Sequence, residues 1–190
     1  MKKLLFVAAF LITQQAMAQT ELNVVTIDSK VFWTGTKVVG YHQGTVKVKE
    51  GKVKMINNKL TDGYFIIDMT TINCTDIPAE DAEPKRKLEH HLMSADFFDV
   101  KKFPVARFDI DEVRTHPDNP ARYLIVGDLT IKGVTKRWKL EAEPTTQTDK
   151  LFISQASLRF DRQQFGVSYK GIKDELVHDI VRLDIIIKAK

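Results

Sequence analysis

Leu88 to Pro104 reads LEHHLMSADFFDVKKFP, and neither a helical period nor a strand period accounts for all of it. Pro84, just upstream, suits the first turn of a helix, where its ring presets φ and its missing N–H has no intrahelical acceptor to lose. Leu88 and Leu92 lie four apart, on one face of such a helix. From Leu92 to Phe98 the chain leaves that period. Asp96 and Asp99 flank two phenylalanines at the transition, where short acidic side chains cap backbone N–H groups well, and Pro104 opens a strand. The segment predicts one short helix around residues 84–94, placed to close one end of a sheet structure or to pack on its wall.

On both sides of it, apolar and polar residues alternate with the period of a half-buried strand. The pattern runs through Val31/Trp33, Val46/Val48, Val53/Met55, Phe65/Ile67/Met69 and Ala106/Phe108/Ile110, and is clearest in Trp138/Leu140/Ala142 and Leu183/Ile185/Ile187. Turns are expected at Glu50-Gly51, Asp62-Gly63, Lys132-Gly133 and the loop around Pro117 to Pro120. Short strands this frequent argue for an antiparallel barrel or sandwich. Thr75 to Glu83 is acidic and irregular and is expected to be a mobile surface loop. No internal repeat and no low-complexity linker interrupts the chain.

Lys2 and Lys3 precede an apolar run from Leu4 to Ile12, and Ala16-Met17-Ala18 has the small-x-small form of a signal peptidase site. This reads as a secretory leader, residues 1–18, with the mature domain spanning 19–190. The apolar run is far short of the roughly 20 residues that cross a hydrocarbon core, so no stable membrane insertion is expected. Removing the leader takes two lysines and no acids, and 29 basic against 25 acidic residues becomes 27 against 25. That balance steers no partner strongly. The basic run Lys85-Arg86-Lys87 sits among Glu80, Asp81, Glu83 and Glu89, a solvated face with none of the interleaved aromatics of a nucleic-acid surface. Cys74 is the one cysteine, which excludes an internal disulfide and leaves a buried thiol, the favoured reading, or an intermolecular bridge.

Together with GDLTIKGVTK at Gly127 to Lys136 and FDRQQFGVSY at Phe160 to Tyr169, the opening segment resembles the YceI-like family of secreted bacterial lipid-binding barrels. Leu88, Leu92, Ser94, Asp96, Phe97, Phe98, Asp99, Val100, Phe103, Pro104 and Phe108 carry the match in the first segment. Gly127, Asp128, Leu129, Thr130, Gly133 and Val134 carry the second, and Arg162, Phe165 and Gly166 the third. The resemblance implies an antiparallel, lipocalin-like β-barrel of about eight strands, with an apolar tunnel that takes a long polyisoprenoid chain. It also implies storage of a ligand rather than catalysis. This chain departs from the family near its amino terminus: Trp33 stands where relatives commonly have Phe, Lys37 takes the place of a His, and Gly35 and Val46 replace bulkier residues.

Burying chain carbon is worth about 0.8 kcal/mol per CH₂, so each isoprene unit can contribute roughly 3 kcal/mol before ordering costs. The candidates for the lumen wall are Trp33, Phe65, Ile67, Met69, Phe108, Tyr123, Trp138, Leu140, Phe152, Leu158, Phe160, Phe165 and Leu183, residues that would equally serve as ordinary core. Arg162, between Phe160 and Phe165, has two readings. It pairs with Asp96 or Asp99, or it meets the head group of a ligand, because a planar guanidinium suits bidentate oxygen recognition. No catalytic constellation is visible: Gly166-Val167-Ser168-Tyr169-Lys170 lacks the second glycine of a nucleophile elbow, leaving Ser168 a structural residue. His90 and His91 are adjacent, so on a helix they diverge and do not share a metal as an i, i+4 pair would.

The sequence therefore predicts a periplasmic binding or carrier protein for an isoprenoid lipid or quinone, such as a quinone or polyprenyl phosphate. No cofactor, no metal and no nucleic-acid partner is expected, and a homodimer is compatible with the chain. The alternative is a filled barrel acting through its surface as an envelope-stress or accessory protein.

Overall fold

The computed structural model describes residues 19–171 and 176–190, and the expected leader, residues 1–18, lies outside them. The strands are β1 (Gln19–Asn23), β2 (Lys30–Lys37), β3 (Tyr41–Ile56), β4 (Lys59–Cys74), β5 (Val105–His116), β6 (Asn119–Ile131), β7 (Val134–Gln147), β8 (Phe152–Asp161) and β9 (Val177–Ala189). One helix, α1 (Ala82–Met93), interrupts them between β4 and β5, and a single 3₁₀ turn, Arg162–Phe165, follows β8.

Strands β2 to β9 pair antiparallel in sequence order, and β9 returns to β2, from Lys30↔Ile186 to Lys37↔Val177. Eight strands thus close into a barrel. Strand β3 is long enough to hold two neighbours on one side. Its first half pairs β2, as in Val31↔Val46, and its second half pairs β1, as in Gln19↔Ile56. Asn23 and Lys190 exchange backbone bonds of 3.0 and 2.9 Å, which ties β1 to the end of β9. Closure satisfies the backbone groups that an open sheet would leave exposed at its edges.

Inward residues follow the alternation read from the sequence, with corrections where the ladder slips. The register shift between Val48 and Glu50 lets Val46 and Val48 face inward on one side of a bulge and Gly51, Val53 and Met55 on the other. Glu50-Gly51 is therefore a mid-strand bulge and not a turn, and Asp62-Gly63 lies within β4. The hairpin between β3 and β4 is made by Asn57 and Asn58, at φ 51° and 62°, since asparagine tolerates the left-handed region that a tight hairpin demands at both central positions. Lys132-Gly133 does form a hairpin turn, at φ 50° and 75°, and Pro117-Asp118 joins β5 to β6.

The two ends of the barrel are built differently. At the base lie the short turns at Asn57-Asn58, Pro117-Asp118 and 148–151, and buried Leu22, Val53, Met55 and Tyr123 fill the interior. The opposite end carries the β2–β3 hairpin, α1 with the segment 94–103, the Lys132-Gly133 turn and the 3₁₀ turn. Helix α1 starts two residues before the predicted span, at Ala82, with Pro84 inside its first turn. Ser94 ends it, donating through both its N–H and its Oγ to the His91 carbonyl. Glu89 Oε1 accepts the Cys74 N–H at 2.8 Å, fixing α1 to the end of β4. Cys74 is fully buried, and burial pushes its thiol up to about 12.

The stretch expected to be a mobile loop is pinned where it leaves β4. Asp76 Oδ1 accepts the Gln43 N–H at 3.0 Å, and Oδ2 lies 2.7 Å from His42 Nδ1. Burial works to raise the Asp76 pKa, but the Gln43 N–H and His42 outweigh it and hold the carboxyl below its ordinary value. With the folded value below the unfolded one of about 3.9, the stabilisation is complete above that pH and is lost as pH falls through the lowered value. Asp76→Ala orphans two partners at a cost of about 2 kcal/mol, so the melting midpoint at neutral pH is expected to fall by about 4–8 °C. Calorimetry across pH should show the gap from wild type narrowing in acid.

Candidate ligand-binding cavity

Inside the barrel runs a cavity of about 240 Å³, walled almost wholly by carbon. Trp33, Phe65, Ile67, Met69, Phe108, Leu140, Phe152, Leu158, Phe160 and Leu183 all line it. Tyr123, Trp138 and Phe165 do not. Tyr123 sits in the filled base, its hydroxyl donating to Gln147 Oε1 at 2.9 Å. Trp138 has inward parity, but its indole N–H donates to the Arg159 carbonyl at 2.9 Å and its ring packs at a tilt against Phe165, 5.7 Å away. Phe165 in turn packs edge-on against Phe160 and is fully enclosed. These aromatics close the wall behind the cavity. Room inside comes from small residues on the inward face, Gly35, Ala106, Ala142 and Ala156, and alternation alone gives no measure of free volume.

All three motifs that carry the sequence resemblance converge on the end opposite the base. From the first, Leu88, His91, Leu92, Phe97 and Phe98 form a lid over the lumen. Lys132, from the second, donates its ammonium to the carbonyls of Phe97 at 2.6 Å, Ala95 at 3.3 Å and Gly166 at 3.3 Å, binding the lid to the neighbouring loop. Arg162, from the third, is fully buried. It donates to the carbonyls of Val167, Val177 and His178 and to Asp179 Oδ1 at 2.9 Å. Its carboxylate partner is thus Asp179, not Asp96 or Asp99. Asp96 is exposed, and Asp99 occupies the left-handed region at φ 48° while its carbonyl accepts from Lys102 and Phe103. Burial pulls the Arg162 pKa down, and Asp179 opposes it.

Arg162 borders the cavity, yet protein acceptors take four of its five N–H groups. A second polar side chain, absent from the sequence-based candidates, has no such partners. His91 lines the cavity, with its ring edge-on to Tyr169 at 4.4 Å and to Phe97 at 5.8 Å. Its Nε2 is buried and makes no hydrogen bond. His90 points away into solvent. Among the described residues, no group of three or more His, Cys, Asp or Glu side chains converges as metal ligands. Lys37 and His42 line the same end of the cavity, on the side of β2 and β3. Trp33 lies flat across Gly44 and donates to the Thr45 carbonyl at 3.3 Å.

The YceI-like domain model matches residues 22–189. The chain belongs to the YceI-like domain family. Among YceI-like relatives, Protein YceI of Salmonella arizonae is 31% identical over 147 residues, which are 65% of this chain and 72% of the relative. A UPF0312 protein of Pectobacterium atrosepticum and Protein YceI of Escherichia coli are each 40% identical over 97 residues. In those two the match spans about half the relative's length, 47%. Burkholderia cenocepacia BcnA superposes with a TM-score of 0.71 at 22% identity, over 88% of this chain and 99% of its own. A polyisoprenoid binding domain from Saccharophagus degradans superposes with a TM-score of 0.64 at 10% identity, over 92% of this chain and 99% of its own. These solved structures share the barrel fold. Among the described residues no helix is long and apolar enough to cross a membrane.

Proposed function

We propose that this barrel binds a long-chain isoprenoid amphiphile lengthwise, tail in the lumen and head beneath α1, as a carrier and not a catalyst. The carrying observation is the apolar cavity that runs from the filled base to the lidded end. A hydrocarbon chain gains from such a lumen without needing polar recognition along its length. The ligand named for the Saccharophagus domain of the same fold supports the choice. Cleavage after Ala18 and action of the mature domain, residues 19–190, in the periplasm complete the reading; amino-terminal sequencing of fractionated protein tests this part, and retention of Met1 would refute it.

Tail length should govern affinity. In a series sharing one head group, each added isoprene unit is expected to tighten binding by about tenfold or more, since about 3 kcal/mol of burial is reduced by the ordering of the chain. Affinity should level off once the lumen is full. Quenching of the indole fluorescence gives the curve, because Trp33 lines the wall. Equal affinity for every length, or none for any, would return the barrel to a purely structural role. Solvent extraction of purified protein followed by mass spectrometry would identify what it carries.

The head group is a neutral one in this reading. A phosphate buried under the lid would need charge partners as deeply placed as itself; the buried cation there, Arg162, is already matched by Asp179, and Lys37, at the end of β2, is only half-buried. One unpaired imidazole nitrogen suits a quinone carbonyl or a hydroxyl. His91→Phe is therefore expected to weaken a long-chain quinone by about tenfold, the worth of one buried hydrogen bond, and to leave the headless hydrocarbon squalene unaffected. Equal losses for both ligands would show that His91 acts through packing alone.

A further inference from the structure

We propose that the barrel docks on the surface of a phospholipid bilayer, lidded end first, through the tip of the β2–β3 hairpin. That tip is chemically out of place. Lys37 N–H donates to the Gly40 carbonyl at 3.0 Å, and Gly40 at φ 91° supplies the left-handed residue that closes the turn. The two positions between them are ordinarily filled by polar turn formers. Here they are Val38 and Val39, 60% and 73% exposed. Nothing in the turn geometry asks for β-branched apolar side chains at its apex. The Val38 N–H donates to the Leu176 carbonyl at 3.0 Å, which holds the tip against the segment entering β9. Leu176 itself is 44% exposed and Tyr41, beside the tip, 55%. Four large apolar side chains therefore project together from one corner of the barrel.

The corner is where the lumen reaches the end of the barrel. Gly35 and Lys37 lead into the tip from β2, His42 leaves it on β3, and Val177 and His178 follow Leu176; all five line the cavity. The apolar patch thus adjoins the rim of the lumen, where Gly35 and Val177 stand beside the polar Lys37, His42 and His178. For the function proposed above, on which this inference rests, the arrangement removes the hardest step of carriage. An isoprenoid tail leaving a bilayer through water would expose all of its carbon, whereas a lumen seated on the bilayer receives it directly. The occupant is a bilayer and not a second copy of the chain, because the patch is a narrow protruding turn. A stable protein partner needs a broad complementary face of about 800 Å² on each side, while a ridge of this size enters the headgroup region as other amphipathic membrane anchors do.

The test uses the full mature chain with phosphatidylcholine vesicles, with and without phosphatidylglycerol. Wild type should float with the vesicles, and Val38→Asn/Val39→Asn should partition about tenfold less, from the apolar area lost. Both substitutions lie on an exposed turn, so the melting midpoint should not change, nor should affinity for a long-chain quinone presented in detergent. Val39→Trp should strengthen partitioning, and transfer of the quinone between vesicle populations should slow in the asparagine variant and quicken in the tryptophan one. Docking is overturned if wild type ignores vesicles, if the asparagine variant partitions equally, or if light scattering shows a dimer that the same variant dissociates. Vesicle binding by a protein that takes no quinone would leave docking standing and remove the carrier reading instead.

Discussion

Gly127→Val is expected to cause the largest loss of stability of any single exchange considered, lowering the melting midpoint by about 8–16 °C. Gly127 on β6 lies between Ile110 on β5 and Trp138 on β7, next to the register shift at Asp111. A Cβ there would fall within the contact radius of the Asp109 carbonyl oxygen and stand 2.8 Å from Phe108 Cζ. The oxygen belongs to the neighbouring strand's backbone, so relief requires β5 and β6 to separate. That separation disturbs the register that turns Phe108 and Ile110 into the lumen. Forced overpacking against a backbone costs about 4 kcal/mol, which gives the midpoint shift stated for a domain of this size. Thermal unfolding followed by circular dichroism measures it, and an unchanged midpoint would contradict the close approach.

Gly35→Phe is expected to do the reverse, sparing the fold and abolishing most of the binding. Val31, Trp33 and Gly35 alternate along β2, and all line the cavity. A Cβ at Gly35 would meet nothing within 4 Å, and no left-handed φ reserves the position for glycine. A phenyl ring there would occupy the lumen near its mouth and exclude about one isoprene unit, worth roughly 3 kcal/mol, or about a hundredfold in affinity. The melting midpoint should stay the same or rise as the void fills. Unchanged affinity for a long-chain quinone would show that the tail does not pass Gly35.

Much of the fold was legible because a closed sheet with one buried face imposes a period of two on nearly every strand, and the late strands, such as Leu183/Ile185/Ile187, show it without interruption. The helix was legible from Pro84 and the Leu88/Leu92 pair. What misled were glycines: Gly51 and Gly63 look like turn formers, yet the turn belongs to Asn57-Asn58, and the glycines lie inside paired strands. Parity turns Trp138 inward but says nothing of Phe165, which packs against it, and Trp138 does not reach the cavity wall. The Arg162–Asp179 pair was beyond reach for a different reason. Asp179 meets Arg162 only because β8 and β9 fold back on each other, and no spacing rule links them. In the sequence His91 reads only as half of an adjacent pair that shares no metal; it takes the lid to place its ring inside an apolar chamber.

The filled base has a consequence for timing. On the proposed reading, a tube filled at its base is a cul-de-sac, so cargo would leave by the way it came, and the protein would shuttle where an open-ended pipe would conduct. A newcomer cannot push the occupant out from behind, and exchange in a competition experiment should proceed at the speed of departure, whatever the concentration of the rival. Unloading then depends on what happens at the doorway, and the occupant's whole itinerary is decided by the few residues that stand there.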